Sequence, residues 1–482
     1  MELQRYRGDC AGRQFRPPLP PPTLTPCDGL LSMGHALHAK PTLGPMNFEF
    51  ATATRIIFGA GKRAELGALG RGLGRRALVV SGSRPAAAER VAGLLRKSDV
   101  AETRFVVAAE PTVALVEQGT KLARERGCDF VIAIGGGSVI DAGKAIAAML
   151  ANEGELLDYV EVIGRGRTLS HHSRPFIAIP TTAGTGAEVT RNAVLAAPEQ
   201  RVKVSLRSAL MLPTVALIDP ELTYDLPPTL TASTGLDALT QLIEPFTCNR
   251  ANPLTDAICG EGIRRVARSL RVAYRDGGNV SAREDMALAG LFGGLALANA
   301  GLGAAHGFAA PIGGMFNAPH GAVCAALLPH VMAANIRALQ SRSNAGKSVS
   351  KVAGAPTPGP SQEGNKMAGA FCNAPLLAGE GGGFSASQKS ATFPSNSAAE
   401  FVHRYDEVAR IVTGKAAATA TEGVDWVSDL VRELNIPKLG AYGIGSMHVP
   451  ELVAKAANAS SMKANPVTLP PDELSAILHA AL

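Results

Sequence analysis

The stretch Phe130-Val-Ile-Ala-Ile-Gly-Gly-Gly-Ser-Val-Ile-Asp-Ala-Gly-Lys144 holds the fold in miniature. Its first part is an unbroken apolar run of strand length. Its second part opens a helical pattern that runs through Met149. A strand with no polar alternate positions is buried on both faces, as in a parallel sheet covered by helices on each side. Between the two, Gly135, Gly136 and Gly137 lead into Ser138. Glycines let a backbone approach a pyrophosphate closely, and a helix N-terminus offers free amides and a partial positive charge. The spacing is not GxGxxG, and the same glycines also serve a tight strand-to-helix turn.

The pattern repeats on either side. Arg76-Ala-Leu-Val-Val-Ser-Gly82 reads as a buried strand, followed by a helix over Pro85–Lys97, a strand over Thr103–Ala109 and an amphipathic helix over Val113–Arg126. Pro175–Pro180 and Val215–Pro220 supply two further strands. Alternation of this kind predicts an α/β dinucleotide-binding domain over residues 46–225. From 226 the β signals fade. Helical patterns over Leu230–Thr247, Pro253–Tyr274, Ala282–Asn299 and Gly321–Ala338 predict an all-α domain for 226–482. Two segments fall outside this plan. Residues 1–45 include the polyproline-like Arg16-Pro-Pro-Leu-Pro-Pro-Pro-Thr23 and read as a disordered extension, with Met46 the expected natural start. Residues 341–402 lose all periodicity, are rich in Gly, Pro, Ser and Ala, and read as a low-complexity insertion looped out between two helices.

With 482 residues, 46% hydrophobic and 18% charged, the chain can bury a large core, in about two domains. Net charge is +6, but no Lys/Arg run focuses it, which argues against a nucleic-acid partner. Seven scattered cysteines without CxxC spacing fit reduced thiols in a cytoplasmic protein. No uninterrupted apolar run reaches the roughly 18 residues of a membrane span, so no membrane partner is expected. A homo-oligomer is compatible with all of this.

Four further constellations carry chemistry. Pro180-Thr-Thr-Ala-Gly-Thr-Gly-Ala-Glu188 follows a strand, and Thr181, Thr182 and Thr185 there suit ribose and phosphate contacts or an elaborate helix N-cap. Asp237 and Gln241 are four residues apart in Gly235-Leu-Asp-Ala-Leu-Thr-Gln241, on one helical face. His306 in Ala-His-Gly and His320 in Pro-His-Gly stand among small residues that leave room for something to approach an imidazole. A carboxylate, an amide oxygen and two imidazoles form a set suited to divalent iron or zinc with positions open for substrate.

Taken together, Gly135-Gly-Gly-Ser-Val-Ile-Asp141, Pro180–Glu188, Gly235–Thr240, Gly303-Ala-Ala-His-Gly307, Asn317-Ala-Pro-His-Gly321 and Ser460-Ser-Met-Lys-Ala-Asn-Pro466 resemble the iron-containing (group III) alcohol dehydrogenase family. The resemblance covers about 46–340 and 403–482. It implies a dinucleotide-binding domain, a helical domain and a cleft between them. It also implies an NAD(P)-dependent alcohol dehydrogenase, or aldehyde/ketone reductase, with a divalent metal, iron first and zinc second. The family's ligand positions fall on Asp237, Gln241, His306 and His320, with Asp237, His306 and His320 as the catalytic set. Gln241 departs from the family's histidine, and an amide oxygen is the weaker donor for late first-row metals. Ala310 replaces a second histidine that would relay protons. Gly135, Gly136, Gly137, Ser138, Asp141, Thr181, Thr182 and Thr185 fall on the cofactor side. Ser81-Gly82-Ser83 carries no carboxylate to repel a 2′-phosphate, so the expected cofactor is NAD or NADP. The departure at Gln241 favours one alternative, a metal-independent oxo-acid reductase resembling maleylacetate reductase, in which Arg191, Lys203 or Arg207 would meet a carboxylate. The related dehydroquinate synthase architecture is disfavoured by the lack of further basic and metal-binding residues.

Overall fold

The computed structural model describes residues 47–352 and 397–482. The expected N-terminal extension and most of the expected insertion lie outside them. The α/β part runs β1 (Arg55–Phe58), α1 (Leu66–Leu73), β2 (Arg76–Ser81), α2 (Pro85–Arg96), β3 (Ala101–Val106), α3 (Val113–Glu125), β4 (Phe130–Gly135), α4 (Gly137–Met149) and β5 (Phe176–Pro180). A hairpin, β6 (Asn192–Ala197) and β7 (Val202–Arg207), precedes β8 (Val215–Ile218). From Pro228 on the described chain is helical: α5 (Pro228–Thr247), α6 (Pro253–Arg275), α7 (Val280–Asn299), α8 (Ala304–Met315), α9 (His320–Val352), α10 (Ala398–Thr413), α11 (Ala420–Glu433), α12 (Val449–Ala457) and α13 (Pro471–Ala481).

The six-stranded sheet has the order β1-β8-β5-β4-β2-β3, every pair parallel. The continuous apolar strands are explained by their two faces. Val131 and Ala133 of β4 join the core under α3 and α4, whereas Phe130, Ile132 and Ile134 join the core under α1 and α2. The chain leaves β2 for the β3 edge and returns to β4 on the other side, so the order reverses between β2 and β4. A crevice opens at such a point beyond the strands' C-terminal ends. Ser81 and Gly135 end the two strands there, in register positions one residue apart.

Two places differ from the sequence reading. The β6–β7 hairpin, antiparallel with Asn192 opposite Arg207, was not among the expected strands. It buries Ala193, Leu195, Val204 and Leu206 against the α4 side of the sheet. Both ends of the range expected as an insertion, 341–402, are helical, because α9 continues to Val352 and α10 starts at Ala398 behind the Ser397 cap. An established helix adds residues at little cost, so weak helix formers at its end still follow it. Helix α9 is long and apolar enough over His320–Asn344 to cross a membrane by composition, but 78% of its most apolar window is buried inside this fold.

The helical part packs on the sheet's C-terminal side through glycines. Gly186, at φ +59°, lies so close to α7 that a Cβ on it would stand 2.3 Å from Cα of Gly294. Neither position has room for a side chain.

Candidate metal and cofactor cleft

Three helices bring the metal-type residues together. Helix α5 is buried over most of its length and carries Asp237, Gln241 and Glu244 along one face. Helix α9 opens with His320. Its Gly321 allows close approach to α5, since a Cβ there would fall 2.4 Å from the Ser233 carbonyl oxygen. Helix α8 carries His306 in its first turn, and no residue of its own caps that end. Its first amides are satisfied from elsewhere: Ala304 N–H donates to Asn465 Oδ1 (3.2 Å) and Ala305 N–H to Glu244 Oε1 (2.7 Å). Orphan helix amides are thus used to anchor the turn that holds His306. Gly303 is required here, because a Cβ would lie 2.9 Å from Glu244 Oε1.

The resulting cluster is tight. His306 Nε2 stands 3.6 Å from Asp237 Oδ1, and His320 Nε2 3.8 Å from the same oxygen. Glu244 Oε2 accepts from His306 Nδ1 at 2.7 Å. A carboxylate can only accept, so Nδ1 carries the proton and Nε2 presents its lone pair. Asp237 Oδ1, Gln241 Oε1 and His306 Nε2 are buried and have no hydrogen-bond partner among the described residues. A buried polar atom left unpaired costs about 1–3 kcal/mol. Two such acceptors 3.6 Å apart, one of them on a carboxylate, fit a bound cation. Electrostatics agree. Burial pushes the Asp237 carboxyl up, but the adjacent His306 and His320 imidazoles outweigh it and hold it below its usual range. Burial disfavours the His306 cation, yet Cys324, Glu244 and Asp237 raise its affinity for a proton well above normal. The pocket attracts positive charge of either kind, proton or metal.

The cluster borders a cleft of about 610 Å³. Gly137, Ser138, Asp141 and Thr185 line it together with Gln241, His306 and His320. Asp237 lies behind these, 1% exposed. Gly135, Gly136, Thr181 and Thr182 are not among its lining residues; Gly135 packs instead on Val139, and Thr182 on Gly136. Asp141 accepts from Val194 N–H (3.1 Å) and faces Lys144 Nζ at 3.6 Å. Burial raises its pKa, against the pull of Lys144. Lys144 is itself buried and donates to Ala187 O, Thr190 Oγ1 and Asn192 O at 2.7–2.9 Å. It ties the glycine turn to the threonine loop and the hairpin. Arg191, Lys203 and Arg207 also line the cleft, Lys203 bonded to Glu110 and Arg207 3.5 Å from Glu161. Ala310 lines it where a relay histidine was sought.

Two residues of the cluster escaped the sequence reading. Glu244 follows Asp237 by seven positions on the same face of α5, a spacing that could have disclosed it. Cys324 follows His320 by four on α9 and belongs with Asp237, His306 and His320 to a group whose ligand atoms all lie within 4.8 Å of one another.

A family model described as iron-containing alcohol dehydrogenase matches residues 53–220, and one for the C-terminal part of the Fe-containing family matches 231–373 and 387–482. The 1,3-propanediol dehydrogenase of Klebsiella pneumoniae is 39% identical over 297 residues, covering 60% of this chain and 74% of the relative. Several other curated relatives are matched over less than two thirds of their length. Among solved structures, a 1,3-propanediol oxidoreductase superposes with TM-score 0.74 at 28% identity, over 91% of this chain and all of the other. The sulfoacetaldehyde reductase of Bifidobacterium kashiwanohense, solved with NAD+, superposes with TM-score 0.70 at 25% identity, over 90% and 98%.

Proposed function

Because the chain belongs to the iron-containing alcohol dehydrogenase family, and so is an oxidoreductase of CH–OH groups working with a nicotinamide dinucleotide and a divalent metal, we propose that its cleft interconverts small alcohols with their aldehydes or ketones. In this proposal Asp237, His306 and His320 hold the metal. The observation that carries the assignment is the pair of unpartnered buried atoms, Asp237 Oδ1 and His306 Nε2, beside a cleft also lined by the first turn of α4.

When bound, the metal supplies Lewis acidity toward the substrate oxygen, and the nicotinamide the capacity to give or take a hydride. The chain's own groups do the rest. Gly137 and Ser138 present helix-end amides to phosphate. Asp141 and Lys144 hold that turn against the hairpin. Glu244 keeps the proton of His306 on Nδ1, so that Nε2 is the free donor. Ala310 can move no proton, so a proton entering or leaving travels through water or a ribose hydroxyl. Both NAD and NADP are accepted, since Ser81 ends β2 without a carboxylate near it in sequence. Four free cysteines among the described residues are consistent with a cytoplasmic enzyme.

The test is metal analysis of the purified enzyme joined to a panel of alcohols and aldehydes with NADH and NADPH. Metal-dependent turnover supports the proposal; undiminished turnover under chelation overturns it. One observation favours the oxo-acid reading: Arg191 and Arg250 both line the cleft. Chelator-resistant turnover confined to keto acids would select it.

A further inference from the structure

From the cluster around Asp237 we infer that the fourth metal donor is the thiolate of Cys324, not the amide of Gln241, and that the site therefore favours zinc-class ions over iron. The inference rests on the proposal that Asp237, His306 and His320 hold a metal.

Geometry places the thiol of Cys324 in the ligand set. For four donors placed tetrahedrally about one ion at metal–ligand distances of about 2.0–2.3 Å, neighbouring donor atoms lie ~3.3–3.8 Å apart. Three separations in the cluster fall in that range: His306 Nε2 to Asp237 Oδ1 at 3.6 Å, His320 Nε2 to Asp237 Oδ1 at 3.8 Å and Cys324 Sγ to His320 Nε2 at 3.7 Å. All four ligand atoms are within 4.8 Å of one another. Cys324 sits one helical turn beyond His320, so both side chains leave α9 on the same face. It is fully buried, which places its sulfur on the protein side of the cluster, with His320 facing the cleft.

Gln241 is tied to the cluster through its nitrogen, while its Oε1 is buried without a partner among the described residues. Its Nε2 donates to Asp237 Oδ2 at 3.3 Å, the oxygen that faces neither imidazole in the contacts above. In this role it is a positioning residue, steadying the carboxylate so that Oδ1 stays with the two imidazoles. The histidine expected at its place and the cysteine at 324 then appear as one exchange: an imidazole donor is missing from α5, and a sulfur donor is supplied from α9.

The exchange has chemical consequences. Asp237, Cys324 and a divalent ion sum to zero charge, one less than with a neutral fourth donor. Thiolate is a soft ligand that suits zinc, whereas an all-N/O set suits iron(II) equally well. Binding displaces the thiol proton to solvent as the metal–sulfur bond forms. The cleft side, lined by His306 and His320, is where substrate would approach.

Cobalt(II) reports the difference, because sulfur bound to it gives a charge-transfer band in the near ultraviolet. The metal-stripped full chain, titrated with cobalt, is expected to bind one ion per chain and develop this band. Cys324→Ser should still bind cobalt, at least tenfold more weakly, without the band, and Gln241→Ala should keep it. As isolated, wild type should carry zinc in preference to iron when both are supplied. Stoichiometric cobalt without a near-ultraviolet band in wild type, or a band that survives in Cys324→Ser, overturns the thiolate assignment and leaves the three-residue site standing. Absence of stoichiometric cobalt in both wild type and Asp237→Ala overturns the site and the inference together. Wild type needs no substitution for its reading, so misfolding of a variant cannot obscure the result.

Discussion

Glu244 Oε2 lies 2.7 Å from Nδ1 of His306, with both residues buried. The other oxygen of the same carboxylate accepts the amide of Ala305. One side chain thus fixes both the tautomer of His306 and the start of the helix that carries it. Partners that orient a ligand in this way are typically worth about 10–100-fold in metal affinity. Glu244→Gln is expected to lose metal by about that factor in chelator competition. Glu244→Leu, which strands two buried donors, should also unfold at lower denaturant concentration.

Asp237 is the one formal anion among the three proposed metal-holding residues other than the cysteine. Asp237→Asn keeps the shape and removes the charge. The expected outcome is near-complete loss of bound metal on gel filtration, with turnover falling to background. Circular dichroism should be unchanged, because Gln241 can still bond to the amide that replaces the carboxylate.

Packing at Gly186 leads to a stability prediction. A methyl group there would meet Cα of Gly294 at 2.3 Å, and the backbone at φ +59° disfavours any L side chain. Two backbones, neither able to swing aside, face each other. Gly186→Ala should cost about 3 kcal/mol or more in denaturant unfolding. Dinucleotide affinity should fall as well, since Thr185 of the same loop lines the cleft.

Glu188 provides a pH test. Burial pushes its carboxyl up to about 7, only partly opposed by a backbone hydrogen bond and Lys144. The folded pKa exceeds the unfolded value near 4.5. Below that value both states are protonated, and the group's contribution to stability is complete. As pH rises from about 4.5 to about 7 the unfolded chain releases the proton first, and stability falls by about 3 kcal/mol in all. Glu188→Gln should remove this decline, so urea midpoints of wild type and variant diverge with rising pH. Parallel curves between pH 4.5 and 7.5 would contradict it.

Cofactor choice is tested at the end of β2. Wild type should turn over NADH and NADPH with kcat/KM values within about tenfold. Introducing a carboxylate by Ser83→Asp should lower kcat/KM for NADPH by more than tenfold, through repulsion of the 2′-phosphate, while NADH changes less.

Much of the fold was legible because burial on both faces leaves an unbroken apolar signal. Phe130–Gly135 and Arg76–Ser81 carried it, and the strands appeared close to where they were expected. The β6–β7 hairpin did not show, since its inward residues are partly alanine and its outward ones mix Asn, Val, Lys and Ser, so the alternation is faint. Asp237, His306 and His320 were readable as a set from local context. Their partners were harder to see: Glu244 meets His306 across 62 residues of chain, and only the crossing of α5 with α8 and α9 brings Cys324 to the same point. Which members of the two loops line the cleft was equally hidden, because a glycine or threonine loop does not declare which of its members face inward.

Helix α9 begins with a proposed metal-holding histidine and ends at Val352, a helix of thirty-three residues. At 1.5 Å per residue its two ends stand up to about 48 Å apart. The chain therefore leaves α9 remote from the chemistry, at the end of a rod whose first turn is clamped against α5. The far end of α9 is thus a natural place for grafting a reporter or tether without disturbing the ligand geometry.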